Sequence, residues 1–175
     1  RHTAVRLLGE RKDKTSTSKL KQLVREGEGL ESLNALWALY QAFGLEDDTA
    51  LAALHHPYPM TRYWAVRLIC DDVGFGHKRT AIELADSLGE LPNGPTAVSH
   101  SLFHAILEQT AREDNAEVRS QMAGSARRLP ADQGLALVTA VLKHSEDIDD
   151  LYVPLLCWWV LEMNLDRDRD AVMAL

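Results

Sequence analysis

Arg62-Tyr63-Trp64-Ala65-Val66-Arg67-Leu68-Ile69 is the stretch that decides the fold, because the chain repeats it with variations. Related phrases stand at Arg1-His-Thr-Ala-Val-Arg-Leu-Leu-Gly9, Ser32-Leu-Asn-Ala-Leu-Trp-Ala-Leu39 and Val118-Arg-Ser-Gln-Met-Ala-Gly-Ser-Ala126. Aligning the central alanines gives a step of 31 residues from Ala4 to Ala35 and of 30 from Ala35 to Ala65. That is the period of one helical hairpin in an α-solenoid, in which each unit buries its apolar face only by stacking on its neighbours. The expected fold is therefore all-α, an α-α superhelix of about five helical hairpins forming a single domain over residues 1–175.

Working outward, apolar periodicity predicts paired helices at 3–10 with 17–26, 31–43 with 47–54, 59–72 with 97–112, 115–129 with 131–144, and 149–164 with a start at 168. In each pair the first helix carries the alanine-rich phrase, whose small residues permit close helix approach. The second is a leucine-based amphipathic helix such as Leu135 to Leu142. Breakers stand between them: His56-Pro-Tyr-Pro59, Leu129-Pro-Ala-Asp132 and Gly44. The step from Ala65 to Met122 is 57 residues, so an insertion is expected over 73–96. It contains a glycine-bearing loop, a helix from Thr80 to Gly89 and the breaker Leu91-Pro-Asn-Gly-Pro95.

Composition narrows the function class. With 46% apolar and 26% charged residues, the chain has enough apolar content for a continuous core and too little contiguous apolar sequence for a membrane span. The net charge is −7, but residues 1–30 hold eight Lys/Arg against four Asp/Glu, whereas 31–175 hold eleven against twenty-two. A solenoid that tracks nucleic acid needs a positive stripe through several repeats, and here the clustered basic residues stop at Arg25. No nucleic-acid partner and no membrane insertion are expected. Cys70 and Cys157 fall in apolar helices and are read as buried free thiols; without any Cys-x-x-Cys pair there is no zinc, redox or haem motif. The chain opens on Arg1 rather than Met and is read as a fragment of a larger protein, so its compartment stays hidden.

Individual residues attract attention for physical reasons. Arg62 and Arg119 occupy the same place in two first helices, where a guanidinium can bridge an acidic or carbonyl group and build an arginine ladder; Ser32 and Pro154 take the matching places and interrupt it. Asp114, Asn115 and Glu117 are candidate caps or partners for Arg119. Trp64, Arg67, Trp158 and Trp159 are the candidate partner surface, since an exposed indole on a solenoid makes a binding hot spot. Packing between repeats is the expected role of each indole; Trp158 and Trp159 lie about 100° apart on a helix, so both can be buried only if that helix is widely covered, and exposure of one is the alternative. His100 and His104, with Glu108 four residues on, form a weak metal candidate, and Asp166-Arg-Asp-Arg-Asp170 echoes a calcium loop without its glycine and glutamate. The expected metal and cofactor content is none. His55-His56 reads as a capping pair at a turn, and no nucleophile, acid–base or phosphate-binding constellation has the context that catalysis requires.

Glu117-Val-Arg-Ser-Gln121, Trp64-Ala-Val-Arg-Leu68 and their alanine-rich continuations resemble the HEAT repeat family, including the short repeats of phycobilisome lyases. Together with Arg128-Leu-Pro130 and Val153-Pro-Leu-Leu-Cys-Trp-Trp-Val-Leu-Glu162, their order is similar to the HEAT region of large planctomycete membrane-bound dehydrogenases. In that family the repeats lie between a propeller-like dehydrogenase domain and a haem-binding domain, and the haem motif itself is absent here. The resemblance implies a non-enzymatic helical connector, secreted or periplasmic, whose partners are neighbouring domains or another protein. Two further readings stand beside it. One is a HEAT-like enzyme of the alkylpurine DNA glycosylase or bilin lyase type, and the other is a cytosolic regulatory adaptor.

Overall fold

Prolines and glycines set where the helices stop, and apolar spacing sets which faces meet. The computed structural model describes residues 6–8, 10, 14–75, 97–166 and 168–175, and among them all regular structure is helical. After a 3₁₀ turn at Lys14–Ser16 come α1 (Thr17–Glu26), α2 (Leu30–Phe43), α3 (Asp47–Leu54) and α4 (Pro59–Phe75). Then follow α5 (His100–Arg112), α6 (Ala116–Ala126), α7 (Ala131–Val141), a 3₁₀ turn at Ser145–Asp147, α8 (Val153–Leu165) and α9 (Arg169–Met173). The chain divides into two compact units, Arg1–Ile69 and Cys70–Leu175.

Most expected helices lie where the periodicity puts them, and the differences are at their ends. The loop expected from Val73 is instead the last turn of α4, which continues to Phe75, and the remainder of the 73–96 insertion lies outside the described residues. Residues 97–99 lie outside the helix, and the Gln133 side chain holds that backbone: Val98 N donates to Gln133 Oε1 at 2.9 Å and Gln133 Nε2 donates to Val98 O at 2.8 Å. The helix expected over 149–164 begins only at Val153, since the Asp150 carboxylate accepts the Tyr152 and Val153 amides, both at 2.8 Å, and caps the start.

In the first unit α1 packs on α2 and α3. Its core is built from Val24, Leu33, Leu36, Leu39, Leu54 and Val66, with Ala35, Ala38 and Ala42 forming the small-residue stripe of α2. Gly44 ends α2 at φ 82°, a left-handed backbone that a side chain would resist, and donates its amide to Tyr40 O at 3.0 Å. Two of the basic residues at this end are paired with acidic residues outside the 1–30 segment: Lys21 Nζ lies 2.6 Å from Glu46 Oε2, and Arg25 Nη2 lies 2.8 Å from Asp48 Oδ2. The hydrogen bond to Glu46 raises the Lys21 pKa.

In the second unit α6, α7 and α8 pack on one another, α5 packs on α7, and α9 folds back on α8. Ile106, Val118, Met122, Leu129, Leu137 and Val138 fill the interior. Gly134 permits the closest approach, because a Cβ there would sit 2.8 Å from Ala126 O and 3.8 Å from Val160 Cγ1. Cys70 and Cys157 are buried free thiols, and burial pushes them up to about 12 and about 11 respectively.

Candidate protein-interaction site

The positions expected to form an arginine ladder turn out to be the keys of two closely similar turns. Arg62 Nη1 donates to the carbonyl of His56, six residues back, at 2.9 Å; Arg119 Nη1 donates to the carbonyl of Glu113, also six residues back, at 2.9 Å. The residue whose carbonyl is held also uses its side chain in the same way each time. His56 Nδ1 accepts the Tyr58 amide at 3.0 Å and Glu113 Oε1 accepts the Asn115 amide at 3.1 Å. His56 and Glu113, like Arg62 and Arg119, stand 57 residues apart, the step already seen between Ala65 and Met122. Each clasp ties the start of a long helix to the turn before it and satisfies backbone groups that helix ends leave unpaired.

The remaining bonds differ with the neighbours available. His56 is buried, and since its Nδ1 is an acceptor, its Nε2 carries the proton and donates to Gly27 O at 3.0 Å, beyond the end of α1. Desolvation lowers the His56 pKa, and the Arg62 charge acts in the same direction. Arg119, 3% exposed, reaches forward to Asp147 in a two-pronged pair: Nε to Oδ2 at 2.5 Å and Nη2 to Oδ1 at 2.5 Å. That hydrogen-bonded carboxylate raises the Arg119 pKa. Of the candidates expected beside Arg119, Asn115 caps α6 by accepting the Val118 amide at 3.1 Å. Ser32, standing where the ladder lacks an arginine, bonds Gly29 O at 2.9 Å and the Thr61 hydroxyl at 2.7 Å, tying α2 to α4.

The candidate surface residues separate into two groups. Trp64 is half-buried, edge-on to Trp37 with ring centroids 5.0 Å apart and covered by the Arg67 guanidinium at 5.1 Å, so its ring is engaged within its own unit. Trp158 and Trp159 are both exposed, at 53% and 41%, where packing between repeats is the expectation for each. The physical reason is that α8 buries only its Val153, Cys157, Val160 and Asn164 edge. Leu151, Tyr152 and Leu155 are exposed beside the two indoles. Arg127 lies 5.9 Å from the Trp159 ring centroid, and a cleft of about 580 Å³ opens between Arg127, Trp159, Glu162, Met163 and Asp166.

His100 and His104 stack with centroids 6.4 Å apart on the exposed side of α5, and His104 Nδ1 lies 3.3 Å from Glu108 Oε1. Among the described residues no group of three or more His, Cys, Asp or Glu converges to hold a metal ion. In the stretch that echoes a calcium loop, Asp168 is engaged as a cap, accepting the Ala171 amide at 3.0 Å. Among the described residues no helix is long and apolar enough to cross a membrane.

Sequence reasoning read His56 as a cap at its turn, and its side chain does accept the Tyr58 amide there, but it passed over Glu113 and Asp147 as structural hubs. The 57-residue step aligns Glu113 with His56, which is the one signal in the sequence for Glu113. Compared with models of protein families, with curated proteins and with solved structures, the chain matches none.

Proposed function

We propose that this chain is a non-catalytic helical-repeat scaffold, an α-solenoid of HEAT type that binds protein. The observation that carries the reading is the recurrence of the arginine clasp: Arg62 to His56 O and Arg119 to Glu113 O, at the same offset in helices that start after the same kind of turn. A repeated backbone device of this kind belongs to a fold whose units stack on their neighbours and present a surface. The exposed indoles of α8 supply a surface suited to a protein partner, because aromatic side chains contribute much of the binding energy at interfaces. The resemblance to the connector region of dehydrogenases extends the reading to a link between neighbouring domains of a redox protein.

The test is chemical cross-linking with mass spectrometry on the full gene product in its native cell extract, paired with activity assays. The scaffold reading expects reproducible cross-links from residues 14–175 to a neighbouring domain or to one stoichiometric protein. Excision of an alkylated base from duplex DNA, or ligation of a bilin to an acceptor protein, would overturn it in favour of an enzyme.

A further inference from the structure

On α8 the side chains Leu155, Trp158, Trp159, Glu162 and Asp166 fall within an arc of about 100° and extend over about 16 Å. The first three are apolar and exposed, and Leu151 and Tyr152 prolong the apolar end. An uncovered stripe with two indoles is an interface in search of its other half. The far end is electrostatically the opposite of what a helix favours. Glu162 and Asp166 stand at the C-terminal end of α8, where the macrodipole is already negative, and the last turn of α8 carries no basic residue. Among the described residues that line the cleft there, the one cation is Arg127, which lies 5.9 Å from the Trp159 ring centroid.

We propose that this face docks an amphipathic helix of a partner protein. That helix presents apolar residues at i, i+3 or i+4, and i+7 to Leu155 and the indoles, with Lys or Arg one turn further on to meet Glu162 and Asp166. Charge complementarity selects this occupant over a second copy of the chain. A two-fold pair runs the two α8 helices either parallel, which sets Glu162 and Asp166 against their own counterparts, or antiparallel, which turns them toward Asp149 and Asp150 of the segment leading into α8; in both arrangements carboxylates face carboxylates. The same carboxylates repel an anionic bilayer surface. The inference rests on the scaffold reading and specifies its partner's chemistry.

The test titrates the full chain with fluorescent synthetic 18-residue amphipathic helices whose apolar stripe is Leu, Phe or Met, each made with Lys or with Glu beyond the stripe. At least one Lys peptide is expected to bind, with its Glu twin at least about tenfold weaker, and Trp158→Ala is expected to weaken binding by about tenfold or more. Glu162→Lys combined with Asp166→Lys is expected to reverse the preference between twins. All these positions are exposed, and far-UV circular dichroism confirms that each variant is folded. Binding by none of the peptides, equal binding of the twins, or indifference to Trp158→Ala overturns the proposal. So does a dimer in sedimentation that Trp158→Ala dissolves, or binding to phosphatidylserine vesicles in preference to the peptides. A protein partner whose cross-links survive Trp158→Ala sinks this inference and leaves the scaffold standing, whereas absence of cross-links to any neighbouring domain or protein sinks the scaffold itself.

Discussion

Arg119 and Asp147 meet as two parallel hydrogen bonds of 2.5 Å inside the second unit, 28 residues apart in sequence, with both side chains withdrawn from water. A third bond from the same guanidinium holds the Glu113 carbonyl. One side chain thus fixes both the turn before α6 and the 3₁₀ turn before α8. A planar, permanently charged fork suits this double duty, and an ammonium at the end of a lysine does not reproduce it.

Removing the fork leaves a buried carboxylate alone. Arg119→Ala is expected to lower the unfolding free energy by about 3–5 kcal/mol, measured by urea denaturation. Asp147→Asn made in the same background is expected to cost much less than it does alone. Strict additivity of the two substitutions would show that the pair is not energetically coupled.

His56 makes stability depend on pH in a definite direction. Its Nδ1 must stay unprotonated to accept the Tyr58 amide, and burial lowers its pKa from 6.5, so between the two values the unfolded chain binds more protons than the folded one. The contribution is fully present above 6.5 and is lost as pH falls through that value toward the lower folded one. The urea midpoint is expected to drop between pH 7.5 and 5.5, and to drop less in His56→Gln; an unchanged drop in that variant would assign the effect to another group.

Two glycines in neighbouring helices are expected to respond oppositely to alanine. At Gly124 a Cβ meets only Leu156 methyl groups at 4.0 Å, so Gly124→Ala is expected to stabilise by about 0.5–1 kcal/mol through helix propensity. At Gly134 it meets the Ala126 carbonyl at 2.8 Å, so Gly134→Ala is expected to destabilise by about 1–3 kcal/mol despite the same propensity gain. Thermal midpoints of the two variants, compared with the parent, decide the matter.

Both thiols are expected to be chemically silent in the folded chain. With pKa values pushed to about 12 at Cys70 and about 11 at Cys157, almost no thiolate exists at pH 8 and neither sulfur is accessible. A thiol-reactive dye is expected to label neither natively and both in guanidinium. Rapid native labelling of either would mean that its helix opens far more easily than its packing implies.

Much of this architecture is legible from residues alone. Ala35, Ala65 and Met122 mark corresponding turns of α2, α4 and α6, and Gly44, Pro59 and Pro130 stand at helix boundaries, because helix periodicity and the backbone limits of glycine and proline act locally. The equivalence of Arg62 and Arg119 is visible in the same way. Their partners are not, since His56 O and Glu113 O are main-chain atoms, and a carbonyl has no signature in a sequence. Asp147 is one acidic residue among twenty-six until folding brings it beside Arg119. Nor does the adjacency of Trp158 and Trp159 say which is covered. The helical register of α8 is set by local spacing, but exposure depends on which other helices reach it, and that is settled only by packing between residues distant in the chain.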